Sequence, residues 1–400
     1  SSDVCSSDLE GFPADFIAEG LDQTRGWFYT LTVLSAALFD KPAFKNVIVN
    51  GILLASDGNK MSKRLKNYPE PDLVFNKYGV DAVRLYLLSS PAVYGEDLRF
   101  SEKDVERVSR QTLIPFLNSF VFLSTYANIC DWKPPKEFSQ PKADIDRWAL
   151  SVAEKMVEDV TEGMDKYEIA AGAAPFTEFI DQLTNWYIRR NRSRFWSDEA
   201  SQDRDEAFAT LYNLLLTLAK VSAPFIPFLS DAIYQELRRE EDPLSVHLLD
   251  FPKANDALRD KELEKEMALV QSVVSAGHAL RKEHKLKVRQ PLAHAHMVSS
   301  DDEVLVALKR QEHLIADELN VKEVSYHKDE SAFVELVAKP NFRVLGKKVG
   351  KKMNAVHKQV LALGREALTD LLEGKEVVIE VEGEKITLEG EDINVERKIG

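Results

Sequence analysis

The first hundred residues alternate between short β-branched runs and an apolar helical segment. Residues 15–19 (DFIAE) read as a buried strand, and residues 46–54 (NVIVNGILL) as a second strand that a turn beginning at Asp57 closes. Between them, residues 24–39 have the composition of a helix, and Asp22 is placed to cap it. Strand, helix and strand form a βαβ unit, so we expect the two strands to be parallel.

Helical periodicity dominates the middle of the chain. A helix is predicted at 81–90 and a long apolar one at about 101–130, before a proline-marked linker at 134–141. Four amphipathic helices with short connections follow, and such helices form a bundle. Their apolar positions are Ile145, Trp148, Val152, Met156, Val160 and Met164; Phe176, Phe179, Ile180, Leu183, Trp186 and Tyr187; Phe208, Leu211, Leu215 and Leu218; and the segment from Pro227 to Leu237.

The last part of the chain mixes helical and strand-like patterns, which predicts a small α/β domain. A helix there carries Met267, Val270, Val274 and Leu280 on one stripe. The other predicted elements are strands within 288–298, a helix at 303–319, a lysine-rich helix from Lys347, and hairpin-like runs at 377–379 and 385–388.

Composition narrows the class of protein. Its length of 400 residues suggests several domains. The two cysteines, Cys5 and Cys130, build neither a disulfide framework nor a cysteine-rich zinc site. His294 and His296 share one strand face without a third ligand nearby, so a plain strand is favoured over a metal site. No apolar run approaches the roughly 20 residues of a membrane span, and we expect a cytoplasmic protein without structural zinc.

The charge pattern restricts how the chain binds nucleic acid. A net charge of −14 argues against indiscriminate binding, because such affinity comes from lysines and arginines that release counterions. Any nucleic-acid surface must therefore be local. Two segments qualify: the basic helix, residues 185–196, whose arginines stand beside aromatic residues, and residues 281–289, for which an ordinary charged helix end is an equal alternative.

Two sets of polar residues follow the two N-terminal strands. In an open parallel sheet, ligands bind beyond the carboxyl ends of the strands, so we expect both sets to converge on one edge. A carboxylate beside a glycine suits ribose hydroxyls, and a loop with two lysines suits a polyphosphate. The first set is Glu19, Gly20, Asp22 and Gln23, and the second, which we call the lysine loop, is Lys60, Met61, Ser62, Lys63 and Arg64.

The lysine loop, KMSKR, resembles the KMSKS signature of class I aminoacyl-tRNA synthetases. Its surroundings resemble the isoleucyl-tRNA synthetases rather than the valyl or leucyl enzymes. The matching stretches are 19–31 (EGLDQTRGWFYTL), 44–71 (FKNVIVNGILLASDGNKMSKRLKNYPEP), 185–196 (NWYIRRNRSRFW), 245–252 (SVHLLDFP) and 289–292 (RQPL). The resemblance covers essentially everything after Gly11, and the lack of cysteines in the tail is more similar to the eukaryotic-type enzymes, which also occur in bacteria.

This resemblance implies an activity with named residues. Isoleucine and ATP, with Mg²⁺, would form isoleucyl-adenylate, and the acyl group would then pass to tRNA(Ile). Lys60 and Lys63 would be the catalytic residues that hold the triphosphate. Glu19 would contact the adenylate. The remaining nucleotide-binding residues would be Gly20, Asp22, Gln23, Met61 and Ser62, and the tRNA-binding residues Trp186, Arg189, Arg190, Arg192 and Arg194.

Each role has a plainer alternative. A lysine cluster in a loop is commonly a solvated loop, Glu19 could merely cap a helix, and the basic helix could be a solvated, partly structural helix. Two rival functions also stay open: a stand-alone tRNA-binding module with a vestigial lysine loop, and a sister ligase for valine.

The resemblance also implies the fold class and the domains. We expect an α/β plus all-α chain: the C-terminal part of a Rossmann-like catalytic domain, a helical anticodon-binding bundle and a small α/β tail. The predicted boundaries are a non-native or disordered leader at 1–10, the catalytic part at 11–100, a helical connection at 101–140, the bundle at 141–260 and a truncated tail at 261–400.

One expected motif is missing from this chain. Class I enzymes also need a HIGH-type histidine motif, and no His-x-Gly-His sequence occurs here. We expect this motif and the editing domain to lie in a missing N-terminal half, which makes the piece inactive alone. We expect a monomer.

Overall fold

The computed structural model describes residues 11–62, 64, 67–196 and 201–399. The predicted leader and Lys63 of the lysine loop lie outside these described residues. The chain divides into two compact units, Ser1–Glu264 and Lys265–Gly400.

The first unit begins with the predicted βαβ arrangement. Strand β1 (Ala14–Gly20) leads through a 3₁₀ turn to helix α1 (Trp27–Phe39) and then to strand β2 (Phe44–Asn50). The two strands are parallel, with Ala14 opposite Phe44 at one end and Gly20 opposite Asn50 at the other. This confirms the predicted parallel pair.

The start of α1 corrects the expected helix boundary and its cap. The helix begins at Trp27, and the preceding residues Leu21–Arg25 form the 3₁₀ turn. Asp22 lies inside this turn and does not cap the helix. Instead, the side-chain oxygen Oε1 of Gln23 accepts the backbone N–H of Trp27 at 2.9 Å. The residue after Asp22, and not Asp22 itself, thereby provides a hydrogen-bond acceptor for an amide of the first helical turn.

The single strand predicted at 46–54 is interrupted. After β2 ends, a separate strand β3 (Leu53–Leu54) pairs in parallel with β4 (Leu98–Arg99). The interruption is at Gly51, whose N–H donates to the carbonyl of Ala92 at 2.8 Å. A Cβ at Gly51 would lie 1.8 Å from the backbone oxygen of Glu96, so this close approach of two backbones requires glycine.

Helices then follow in quick succession. Helix α2 (Pro71–Tyr78) and helix α3 (Val80–Leu88) precede β4, and helix α4 (Glu102–Val108) follows it. One π-helical segment, Ser109–Leu113, joins α4 to helix α5 (Ile114–Ile129). The residues buried among α2, α3 and α4 are Val74, Ala82, Val83, Tyr86 and Val105.

The helical run from α4 to α5 bears on the expectation that no segment is long and apolar enough to span a membrane. In the part of the chain that the structure describes, residues 102–129 form a 28-residue helical stretch that is long and apolar enough to cross a membrane. Length and composition alone are weak support, because core helices of soluble proteins satisfy the same criteria. Phe116 and Leu123 of α5 are buried within this unit, and α5 packs against the helical bundle described next.

The predicted helical bundle is present in residues 144–237. Its helices are α6 (Asp144–Asp165), α7 (Ile169–Asp181), α8 (Arg189–Phe195), α9 (Gln202–Ser222) and α10 (Pro227–Leu237), with a π-helical segment, Gln182–Ile188, between α7 and α8. All ten apolar positions predicted for the second and third helices are buried, so the helical stripes are confirmed: Phe176, Phe179, Ile180, Leu183, Trp186, Tyr187, Phe208, Leu211, Leu215 and Leu218.

Helix α3 holds the turn between α9 and α10 through two charged side chains. The buried carboxylate of Asp81 accepts the backbone N–H groups of Phe228 at 3.3 Å and Leu229 at 2.7 Å. Arg84 donates to the carbonyls of Pro224 and Phe225 at 3.1 and 3.3 Å. An anion thus meets the N-terminus of α10, where helix amides lack partners. Burial raises the pKa of Asp81, which the two amide donors oppose.

The second unit is a mixture of helices and small sheets, as predicted for the tail. Helix α11 (Lys261–Glu283) crosses the boundary between the units. Strand β5 (Leu292–Val298) pairs in parallel with β6 (Val321–His327). Helices α12 (Asp302–Arg310) and α13 (Glu312–Leu319) connect the two strands along the chain. The predicted helix at 303–319 is therefore two helices, which separate at Gln311.

The rest of this unit forms around its own core. Strand β7 (Val334–Pro340), helices α14 (Phe342–Val349), α15 (Met353–Leu361) and α16 (Arg365–Leu372), and strands β8 (Val377–Val381), β9 (Glu384–Leu388) and β10 (Ile393–Ile399) follow in order. Strands β8 and β9 form the predicted hairpin, and β7 pairs antiparallel with β10. The lysine-rich helix begins at Phe342 rather than Lys347. Leu345, Val356, Val360 and Leu388 lie at the centre of the core.

Two histidines singled out in the sequence lie on β5. His294 faces Glu323 across the strand pair, with Nδ1 3.2 Å from Oε2, and His296 Nδ1 lies 3.2 Å from Nε2 of His327. Among the described residues, no group of three or more histidine, cysteine or acidic side chains is arranged to hold a metal ion.

Candidate functional sites

The carboxyl ends of β1 and β2 lie at the same edge of the sheet. Glu19 stands opposite Val49 and Gly20 opposite Asn50 in the parallel register. The carboxylate of Glu19 is exposed there. The predicted residues of the first set are therefore brought together at the end of β1, on the side where parallel sheets bind ligands.

Side chains within the turn after β1 contact one another. Gln23 Nε2 donates to Asp22 Oδ2 at 3.1 Å, and Asp22 Oδ1 lies 2.7 Å from where a Cβ at Gly20 would stand. Glycine at position 20 thus leaves room for the Asp22 carboxylate to fold back over the strand end. This arrangement offers two carboxylates, Glu19 and Asp22, as acceptors for hydroxyl donors.

A tight turn carries the chain from β3 into the lysine loop. The N–H of Ala55 donates to Asn59 O and the N–H of Gly58 to Ala55 O, both at 2.8 Å, and Gly58 has a positive φ of 83°. Asp57 accepts both the side-chain and the backbone N–H of Asn59, and these hydrogen bonds lower its pKa. Leu54 and Lys60 form an antiparallel bridge across the turn, which fixes where the loop begins.

The lysine loop itself is held by a residue that sequence reasoning missed. Asn67 Oδ1 accepts the backbone N–H of Ser62 at 2.9 Å, and Asn67 Nδ2 donates to the carbonyl of Lys60 at 3.2 Å. Lys60 and Arg64 are exposed, and Met61 and Ser62 are half-buried. The tendency of asparagine to bond nearby backbone was the one available signal for Asn67.

A cavity of about 400 Å³ lies beside this loop, between it and the start of α4. Met61 and Asn67 line one side, and Phe100, Ser101 and Lys103 line another. Ser101 caps α4 by accepting the backbone N–H of Asp104 at 3.3 Å. The guanidinium of Arg99 lies against Gly58, within 3.3 Å of where its Cβ would be. A further cation thus lies beside the turn that leads into the lysine loop.

The basic helix, residues 185–196, does not present all of its predicted residues alike. Trp186 is buried at 7% exposure, so its ring faces the bundle rather than solvent. The guanidinium carbon of Arg190 lies 3.5 Å from the centre of the Trp186 ring. Arg189 and Arg192 are exposed. Trp186 is among the predicted tRNA-binding residues, but the bundle and Arg190 cover its ring, which disfavours stacking of that ring on an RNA base.

Arg194 is half-buried and bound to the bundle, which argues against its place in the predicted tRNA-binding set. Its guanidinium donates to Asp146 Oδ1 at 2.9 Å and Oδ2 at 2.8 Å, and it also pairs with Asp203 at 2.7 Å. Asp146 is fully buried and also accepts the hydroxyl of Tyr187 at 2.7 Å. Burial raises the pKa of Asp146 and also that of Tyr187. Because Arg194 is bound to these partners, the prediction of tRNA binding stays with Arg189, Arg190 and Arg192.

In the second basic segment, residues 281–289, the contacts of Arg281 favour a structural role over nucleic-acid binding. Arg281 is buried at 4% exposure and donates to the carbonyls of Lys287, Gln290, Leu319 and Asn320. Its guanidinium therefore holds the loop after α11 to the end of α13.

Comparison with known sequences shows which protein families the chain resembles. Residues 3–101 match the family of class I tRNA synthetases (I, L, M and V), and residues 146–296 match the anticodon-binding domain of tRNA ligases. The first match begins before Gly11, inside the predicted leader. The chain has a class I tRNA synthetase-like fold with a helical anticodon-binding region, as predicted.

The chain is also similar to isoleucine–tRNA ligases. It is 58% identical over 388 residues to that of Protochlamydia amoebophila and 52% identical over 384 residues to that of Chlamydia muridarum. These alignments cover 97% and 96% of this chain but 37% of each relative, so the chain spans about a third of their length.

A solved structure is also similar. The methionyl-tRNA synthetase of Mycobacterium tuberculosis, in complex with methionyl-adenylate, aligns with a TM-score of 0.48 at 23% identity. That alignment covers 57% of this chain and 45% of the other.

Proposed function

We propose that the protein to which this chain belongs is an isoleucine–tRNA ligase. It would condense isoleucine with ATP to isoleucyl-adenylate, release pyrophosphate, and transfer the isoleucyl group to tRNA(Ile). The observation that carries the proposal is the 58% identity to such a ligase over 97% of the chain. Two further observations are consistent with the proposal. Glu19 lies at the carboxyl end of a parallel strand pair, and the side chain of Lys60 is exposed.

The lysine loop would serve the phosphates of ATP. Displacement at phosphorus is accelerated mainly by positioning and by stabilising charge on phosphate oxygens, and lysine ammonium groups supply that charge. We assign this role to Lys60 and Lys63. Mg²⁺ would be held largely by the phosphates themselves, as is usual for this ion.

The end of β1 would serve the adenosine. Glu19 would contact the adenylate, and the connected turn of Gly20, Asp22 and Gln23 would line its ribose end. The exposed carboxylate of Glu19 and the Asp22 carboxylate folded over Gly20 support this assignment, because carboxylates accept hydrogen bonds from ribose hydroxyls. Met61 and Ser62 would contribute from the loop side.

The basic helix would contact tRNA. Its exposed Arg189 and Arg192 flank Arg190, whose guanidinium is held over Trp186. Arginine recognises phosphates in a bidentate manner and stacks on unpaired bases. We therefore assign tRNA contact to these three arginines, and to Arg194 and Trp186 the task of holding the helix in place.

The remaining expectations about the whole protein are proposals as well. We propose that a HIGH-type motif and an editing domain precede this part of the protein, that the ligase is a cytoplasmic monomer, and that it is of the eukaryotic type. The last rests on the lack of tail cysteines alone, since the relatives named above are bacterial.

Isoleucine-dependent exchange of pyrophosphate into ATP by the full-length gene product tests the activity. We expect exchange with isoleucine and its loss on Lys63→Ala. Lys45→Ala is a matched control, because this exposed lysine pairs with Asp15 at the start of β1 and β2, at the end of the strand pair away from Glu19. Exchange with valine alone would identify a valine ligase, and tRNA binding with no exchange would favour the stand-alone binding module.

A further inference from the structure

One side chain spans the start of the lysine loop. Asn67 uses its amide oxygen to accept from Ser62 N–H and its amide nitrogen to donate to Lys60 C=O, at 2.9 and 3.2 Å. These two backbone groups lie on either side of Met61. The amide therefore closes a small ring that includes the peptide units before and after Met61.

An amide is well suited to this contact. It offers a donor and an acceptor at once, whereas a carboxylate only accepts and an ammonium only donates. Asn67 is half-buried, and its neighbour across the adjoining cavity is the start of α4.

The other side of Lys60 is fixed independently. Lys60 bridges to Leu54, and Asn59 closes the preceding turn by accepting the N–H of Ala55. The backbone of Lys60 is therefore restrained from the strand side by β3 and from the loop side by Asn67. The exposed side chain of Lys60 extends from a backbone whose direction is fixed.

We propose that Asn67 is a positioning residue of the nucleotide-binding loop. By holding the backbone at Lys60 and Ser62, it aims the Lys60 ammonium at the triphosphate and reduces the ordering that ATP binding must impose. The inference rests on the proposed function, because it presumes that the loop binds ATP. Asn67 would touch no phosphate itself and would act through the loop.

Asn67→Ala in the full-length protein tests the idea. Misplacing a catalytic group by about 1 Å can cost on the order of 100-fold in rate, so we expect kcat for pyrophosphate exchange to fall about 10- to 100-fold. Hydrogen exchange at the Ser62 amide should accelerate in the same variant. Asn67→Asp keeps the acceptor for Ser62 and loses the donor for Lys60, so its kcat should fall between wild type and Asn67→Ala.

A matched control separates positioning from general loosening. Asn255→Ala removes another asparagine cap in a surface turn, where Asn255 Oδ1 accepts Ala257 N–H at 3.1 Å. We expect this variant to keep wild-type kcat. If Asn67→Ala also keeps wild-type kcat, or if the Ser62 amide stays protected, the positioning role is overturned.

The same measurements distinguish this inference from the proposed function. A wild-type protein without isoleucine-dependent exchange overturns the ligase assignment and, with it, the catalytic role of Asn67. Wild-type exchange with an unaffected Asn67→Ala variant overturns the positioning role alone. Loss of exchange in Asn67→Ala with unchanged melting temperature supports both.

Discussion

The guanidinium of Arg194 holds both carboxylate oxygens of Asp146 inside the helical bundle, at 2.9 and 2.8 Å. The two residues lie on α6 and α8, and Asp146 is fully buried. Removing one partner of a buried ion pair leaves an uncompensated charge, which costs about 3–5 kcal/mol. We therefore predict that Arg194→Ala lowers the free energy of unfolding by that order, as measured by urea denaturation.

Arg192→Ala provides the matched control for Arg194→Ala. Arg192 is exposed on the same helix, and surface substitutions usually change stability by about 0.5 kcal/mol or less. A similar, small effect of both variants would contradict a structural role for Arg194. In the folded fraction of Arg194→Ala, tRNA affinity should stay close to that of wild type.

Arg189 and Arg190 carry the prediction for tRNA. Replacing both by alanine should weaken tRNA binding and flatten its dependence on salt, because each lost phosphate contact removes about 0.7–0.9 from the slope of log K against log[salt]. Filter binding or fluorescence anisotropy at several salt concentrations measures this slope. Lys155→Ala with Lys166→Ala removes the same charge from α6 and from the residue that follows its last turn, and should leave the slope nearly unchanged.

Arg190 should be more than a positive charge. Its guanidinium lies 3.5 Å from the Trp186 ring centre, and lysine cannot reproduce a planar group stacked on an aromatic face. We predict that Arg190→Lys keeps the salt slope of tRNA binding but lowers the free energy of unfolding by roughly 0.5–2 kcal/mol, because the cation–π contact lies within the protein. An unchanged free energy of unfolding in the lysine variant would show that charge alone matters.

The sequence predicted features that depend on neighbouring residues and missed those that depend on residues far apart in the chain. Helix α10 was predicted with its exact ends, because Pro227 starts it and apolar spacing carries it to Leu237. The break at Gly51 was missed because its cause, the oxygen of Glu96, is distant in sequence. The contact between Arg194 and Asp146 was missed for the same reason, because the sequence near Arg194 does not show that it faces a buried aspartate 48 residues away.

The two polar contacts of α3 predict a local effect on the turn between α9 and α10. Asp81→Ala leaves the amides of Phe228 and Leu229 without their carboxylate, at a cost of about 1–3 kcal/mol. We expect faster hydrogen exchange at these two amides. Asp72→Ala, an exposed aspartate in the first turn of α2, should leave both amides protected.

Two glycines should respond to alanine in opposite directions. At Gly51 a methyl group would stand 1.8 Å from the backbone oxygen of Glu96, so β2 or the segment at 92–96 must move, and we predict clear destabilisation of the first unit. At Gly346, inside α14, nothing lies within 4 Å of the added carbon and φ is not positive. Alanine there should stabilise the second unit by about 0.5–1 kcal/mol, because glycine loses more backbone entropy in a helix. Thermal unfolding of both variants measures the pair, and a Gly51→Ala protein as stable as wild type would show that the two backbones do not approach so closely.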